Sequence, residues 1–144
     1  MSQTSKRDNA DAQKWRESER HIFVAEDDPE MRRLVADKLR KIGHTVIEAA
    51  DGAELMHRLA MAGDNHQFSQ MRVDLIITDI RMPGSDGLAI LESLRASGWR
   101  TPAIVMSAFG DSHARERAEG LGAVFLDKPF RMDLLIHTVR RLLE

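Results

Sequence analysis

Cysteine is absent from the 144 residues, so the chain can have neither a disulfide framework nor a thiolate metal site, and a reducing cytosol is its natural compartment. An excess of one charge is also missing. The 21 lysines and arginines stand against 23 acids, a formal charge of -2, which leaves no global basic field to hold nucleic acid or an anionic membrane. No apolar run approaches the ~20 residues of a membrane span, and the N-terminus lacks the apolar core of a signal peptide. The six histidines, His21, His44, His57, His66, His113 and His137, show no close pair at ligand spacing, which speaks against zinc or iron. These absences lead to the expectation of a soluble, cytoplasmic protein that binds no nucleic acid directly and no membrane.

What is present is 42% hydrophobic residues, in a length that suits one domain with a sizeable core. Residues 1–20 have mixed charge and Trp15 as their only large apolar group. They read as a flexible tail before a folded domain at 21–144. From His21 a unit recurs. The run IFVA (22–25) reads as a strand; Asp28 caps a helix with Pro29 in its first turn, carrying Met31, Leu34, Val35, Leu39 and Ile42, and Gly43 stops it. TVIEA (45–49) is the second strand, and Asp51 with Glu54 forms a capping-box-like start to a helix carrying Leu55, Met56 and Leu59, which fades near Gly63.

DLIIT (74–78) is the third strand, followed by a helix through Leu88, Leu91 and Leu94 that ends at Gly98. AIVMS (103–107) is the fourth, with Asp111 capping a helix through Ala114, Ala118 and Leu121. AVFL (123–126) is the fifth, before a helix with Leu135, Val139 and Leu142. The connection at 60–72 is long and polar and reads as a solvated loop. Strands that are almost continuously apolar and alternate with helices specify an α/β fold, doubly wound, with five parallel strands and five helices.

In such sheets ligands gather beyond the carboxyl ends of the strands. Every polar residue out of character here stands at such an end: Glu26, Asp27 and Asp28 follow the first strand, Asp79 ends the third, Ser107 ends the fourth and Lys128 follows the fifth. Carboxylates gathered in this way repel, by about 4 kcal/mol at about 4 Å for an effective dielectric near 20. Lys128 can cancel one charge and a hard divalent cation two, and Mg²⁺ suits a pair of carboxylates with a carbonyl and water. With those charges in place, an Asp79 oxygen can attack phosphorus, and the product is an acyl phosphate. Asp28, directly before Pro29, fits a helix cap better than a ligand.

The motifs EDDP, TDIRMPGSDG, MSA and DKPF, in that order, resemble the receiver domain of bacterial response regulators over residues 21–144. The resemblance implies a flavodoxin-like sheet of order 2-1-3-4-5 and a chain phosphorylated by a histidine kinase or histidine phosphotransfer protein. It makes Asp79 the phosphoacceptor. It places Mg²⁺ on Glu26, Asp27, Asp79 and the backbone carbonyl of Arg81, with Glu26 acting through a metal-bound water. Ser107 and Lys128 match the phosphoryl-contacting hydroxyl and lysine, and Phe125 the aromatic switch position. Arg81 and Phe109 flank the line of attack and are expected to modulate dephosphorylation.

No turnover beyond self-phosphorylation and autodephosphorylation is implied, and an unidentified output partner and a dimer formed on phosphorylation are. Glu26 stands where the family often has Asp, and the 60–72 connection is longer than usual for it. Neither departure touches the chemistry. A flavin carrier would share the fold, but EDDP would repel a flavin phosphate. An aspartyl-phosphate phosphatase resembles Asp-x-Asp, and here that second position is Arg81. With Glu144 directly after the last helix, the expectation is a stand-alone module or relay intermediate. The alternative is the receiver portion of a larger DNA-binding response regulator or hybrid kinase.

Overall fold

The computed structural model describes residues 19–63, 72–108 and 112–144. Five strands, β1 (His21–Ala25), β2 (Thr45–Ala49), β3 (Leu75–Asp79), β4 (Ala103–Ala108) and β5 (Val124–Lys128), form one parallel sheet in the order β2-β1-β3-β4-β5. The helices are α1 (Pro29–Lys41), α2 (Gly52–Gly63), α3 (Gly87–Ala96), α4 (Ser112–Gly120) and α5 (Met132–Leu143). The expected doubly wound, flavodoxin-like sheet of order 2-1-3-4-5 is the one observed.

Side chains alternate across each strand, and the apolar runs therefore feed two cores. Ile22, Val24, Leu75, Ile77, Ile104 and Met106 meet α1 and α5 through Val35, Leu39, Leu135 and Val139. On the other face Phe23, Ile76, Val105 and Phe125 meet α2, α3 and α4. All five residues of β3 are buried, which is why its sequence shows no polar alternation.

The helix starts follow local chemistry. Asp28 accepts from the Glu30 N–H at 3.0 Å with Pro29 in the first turn, and Gly43, at φ 104°, takes the left-handed conformation after α1. Asp51 accepts from the Glu54 N–H at 2.8 Å, while the Glu54 carboxylate reaches back to the Ala50 N–H at 3.4 Å, one residue before the position a capping box would use.

Several details go beyond the expectations or revise them. Leu34 and Met56 fit the helical spacing, yet they are 49% and 39% exposed, because the apolar stripe of each helix is wider than the strip the sheet covers. α2 continues to Gly63, so the first part of the 60–72 connection is helical, and 64–71 lie outside the described residues. α4 ends at Gly120, leaving Leu121 in the following turn. β5 extends through Lys128, which puts that residue on the strand rather than after it, while Asp79 ends β3 as expected. A two-residue antiparallel ribbon, Arg81–Met82 with Ser85–Asp86, follows β3 and was not foreseen. Trp15 and the tail to residue 18, Phe109 and Asp111 fall outside the described residues.

Candidate functional site

Asp79 closes β3 opposite Met106 of β4 and is 8% exposed. Its backbone is fixed from two sides. The Thr78 hydroxyl donates to the Asp79 carbonyl at 2.9 Å, and the Gly87 N–H donates to the Ile80 carbonyl at 2.8 Å. That second bond draws the start of α3 so close that a Cβ on Gly87 would overlap the Asp79 carbonyl oxygen.

Glu26 follows β1 and is almost wholly buried. Its N–H donates to the Ala49 carbonyl at 3.1 Å, and its own carbonyl accepts from Arg32 Nη1 at 2.8 Å. The same guanidinium donates through Nε to Glu48 Oε1 at 3.3 Å, tying the acidic loop to β2. Glu26 Oε2 accepts from the Asp28 N–H at 3.3 Å. Lys128, at the end of β5, donates to Glu26 Oε1 and, at 2.9 Å, to Asp79 Oδ2. One oxygen from each of Glu26, Asp27 and Asp79 lies within 4.8 Å of the others, and Asp27 faces solvent.

The electrostatics follow from this crowding. Burial pushes the Glu26 carboxyl up from 4.5 to about 7, against the hydrogen bond from Lys128 and with help from Asp27 and Asp79. For Lys128 burial favours the neutral amine, but the hydrogen bonds and charges of Glu26 and Asp79 outweigh it and raise the ammonium above its ordinary value. Three carboxylates with one edge open to water are a hard-oxygen donor set, which fits Mg²⁺ and offers nothing to a softer metal.

Ser107 is buried on β4, one step beyond the residue opposite Asp79. Among the described residues its hydroxyl has only a long contact, 3.5 Å to the Ala108 carbonyl, so little of the described structure holds it in place. Arg81 begins the ribbon two residues after Asp79 with its side chain exposed. Phe125 is set back from the strand ends within the apolar layer, 7% exposed, with the Arg115 guanidinium over its ring.

The structure thus brings Glu26, Asp27, Asp79 and Lys128 into contact range and sets Ser107 on the same edge. Asp28 is a helix cap. Sequence reasoning missed Arg32, Gly87 and Arg115. Gly87 had a signal, since it closes the TDIRMPGSDG stretch. Arg32 and Arg115 had none, because each acts on a backbone or ring from a different segment.

The family model described as the response regulator receiver domain matches residues 22–140. The C4-dicarboxylate transport transcriptional regulatory protein DctD of Rhizobium meliloti is 34% identical over 121 residues, covering 83% of this chain and 24% of that protein. The sensor protein EvgS of Escherichia coli K12 is 31% identical over 115 residues, covering 79% of this chain and 9% of that protein. Among solved structures, the receiver domain of the Francisella response regulator 1452 superposes with a TM-score of 0.75 at 28% identity, covering 86% of this chain and 96% of that one. The chain therefore spans a quarter or less of the length of these two curated relatives.

Proposed function

This chain belongs to the response regulator receiver domain family, and from that premise we propose that Asp79 accepts a phosphoryl group from the phosphohistidine of a histidine kinase or histidine phosphotransfer protein, and that an output partner reads the resulting change. The observation that carries this reading is the buried Asp79 carboxylate at a strand end, held by Lys128 at 2.9 Å and clustered with Glu26 and Asp27. Glu26, Asp27, Asp79 and the Arg81 carbonyl would hold Mg²⁺, which when bound supplies positive charge opposite the phosphoryl oxygens.

The Asp79 oxygen forms the new bond to phosphorus as the bond to the donor imidazole nitrogen breaks. The electron pair leaves with the imidazole, which takes up a proton. Lys128 faces the charge that collects on the phosphoryl oxygens, and the loosely held Ser107 hydroxyl can turn to donate to one of them. Receiver domains are signalling domains, and turnover here is confined to self-phosphorylation and autodephosphorylation, the latter modulated by Arg81 and, two positions beyond Ser107 in the sequence, Phe109.

The length of DctD and EvgS favours a second reading of the whole protein, in which this receiver is a portion of a DNA-binding response regulator or a hybrid kinase. Among the described residues no helix is long and apolar enough to cross a membrane, in keeping with a cytoplasmic site of action. The domain would occupy 21–144 behind an N-terminal tail, bind no nucleic acid itself, and pair with a second copy when phosphorylated.

Incubation with a phosphohistidine donor and Mg²⁺ tests the chemistry. The expected label on Asp79 is lost on treatment with hydroxylamine and never appears in Asp79→Asn. A label that persists in Asp79→Asn overturns the assignment.

A further inference from the structure

Arg115 of α4 is bound to β5 at two points. Its guanidinium carbon stands 4.7 Å from the centroid of the Phe125 ring, and its Nη2 donates to Asp127 Oδ2 at 2.5 Å. Phe125 and Asp127 are two residues apart on one strand, so both side chains leave the sheet on the face that α4 covers. In register with them on β4 stand Val105 and Ser107. Arg115 therefore covers Phe125 from outside and ends at the strand position beside Ser107, whose hydroxyl must turn toward a phosphoryl group on Asp79.

Little else of apolar character seats α4. It buries only Ala114 and Ala118, and an ion pair from Arg117 to Glu92 at 2.7 Å ties it to α3. Asp127 uses one oxygen for Arg115, and its Oδ1 is buried without a hydrogen-bond partner among the described residues. The pair is thus a single-point contact rather than a two-pronged fork, and a contact of that kind opens more readily.

We propose that Arg115 is a positioning residue for the phosphoryl response: stacked on Phe125 and paired with Asp127, it holds the ring and α4 in the resting arrangement, and a phosphoryl group on Asp79 acts against that hold. The proposal rests on the reading of Asp79 as phosphoacceptor. When Ser107 moves toward the phosphoryl group it disturbs the position beside Asp127, and Phe125 can leave its place only once the guanidinium lets go. Linkage then fixes the sign. Whatever favours the resting arrangement weakens the binding of a phosphoryl mimic by the same factor. A half-exposed ion pair and a cation–π contact each contribute modestly, so releasing both strengthens that binding by about fivefold.

The test is the affinity for beryllofluoride with Mg²⁺, followed by fluorine NMR together with amide spectra of the unliganded proteins. Arg115→Ala is expected to bind about fivefold tighter than wild type. Its unliganded Ser107 and Phe125 amide signals should move toward the positions seen in liganded wild type. Arg115→Lys, which keeps the charge but loses the planar stack, should fall between the two, and the affinity gap should narrow as salt screens the ion pair. In a Phe125→Leu background the effect of Arg115→Ala should shrink to the ion-pair share. Equal or weaker binding by Arg115→Ala, with resting amide positions, overturns the proposal. If Arg115→Ala does not fold, Arg115→Lys decides by the same criterion. Wild-type protein that takes up no beryllofluoride overturns the phosphoacceptor reading and this proposal with it, whereas normal wild-type uptake and an unchanged Arg115 variant overturn this proposal alone.

Discussion

The Lys128 ammonium donates to Asp79 Oδ2 at 2.9 Å and, from the same nitrogen, to Glu26 Oε1, so one cation stands between two buried carboxylates. Among the described residues it is the one cation paired with both acids at once.

Lys128→Met should therefore separate metal binding from stability. Without the ammonium, the acids attract Mg²⁺ more strongly, and affinity should rise about tenfold. Metal-free protein should lose about 3 kcal/mol, since each carboxylate is left buried beside the other. Calorimetric Mg²⁺ titration and urea unfolding with and without Mg²⁺ measure both, and an unchanged affinity would show that Lys128 does not compete for the acids.

Gly87→Ala tests how tightly the backbone of Asp79 is set. The added methyl would overlap the Asp79 carbonyl oxygen, and neighbouring backbone cannot swing aside as a flexible side chain can. A loss of about 1–3 kcal/mol is expected from such overpacking. Slower phosphoryl uptake should accompany it, because the carboxylate moves with its carbonyl. Urea unfolding and the rate of beryllofluoride uptake report the two effects, and normal values for both would contradict the close approach.

Arg95 joins two helix ends, donating to the Leu121 carbonyl at 2.9 Å after α4 and to the Trp99 carbonyl at 3.0 Å after α3. Burial lowers its pKa from the usual arginine value, which reflects how far it is withdrawn from water. Arg95→Ala should cost about 2 kcal/mol by leaving both carbonyls without this donor. The pair of helix ends lies at the amino ends of β4 and β5, away from Asp79, so beryllofluoride affinity should stay at the wild-type value. A matching loss of affinity would place Arg95 in the response instead.

His44 supplies a pH dependence. Its Nδ1 accepts from the Arg20 N–H at 3.2 Å, which requires the unprotonated nitrogen, and burial with the Arg20 charge lowers its pKa from 6.5. Below 6.5 the unfolded chain takes up a proton before the folded one does. Stability from this residue is therefore full above that value and falls as pH drops through the folded pKa. Glu26, raised to about 7, slopes the opposite way, favouring the fold as pH falls from 7 toward 4.5. The informative quantity is thus the difference between wild type and His44→Asn, which keeps an acceptor but does not titrate. Urea midpoints from about pH 7.5 to about pH 5 should converge toward the acid end. Parallel curves would refute the assignment.

The strands were legible because burial on both faces leaves runs such as Leu75 to Ile77 without polar alternation, and the caps at Asp28 and Asp51 because they act within one turn. The acids and Lys128 stood out as ionisable groups closing apolar runs. The two-residue ribbon after β3 is too short to carry a period. Leu34 and Met56 lie on their helices as the spacing implies, but spacing reports a stripe and not how much of it a sheet will cover, and both are exposed. Arg32 on the Glu26 carbonyl and Arg115 on Phe125 depend on how each helix packs against the strand next to it in the chain, and neither arginine differs locally from a solvated one.

β2 lies at the margin of the sheet, and its ladder shows which of its backbone groups face outward. The Thr45 N–H bonds to Arg20 and the Ala49 carbonyl accepts from Glu26, so the even-numbered positions turn their amides and carbonyls away from β1. One of these, the Val46 carbonyl, accepts from Arg40 Nη2 at 3.0 Å, and Arg40 also pairs with Glu48 at 3.1 Å. A strand from another molecule that tried to add here would have to displace a guanidinium from that carbonyl and desolvate the charged pair beside it. The margin is thereby guarded against strand-by-strand aggregation without a proline or a bulge, and β2 can keep its full length at the edge of the sheet.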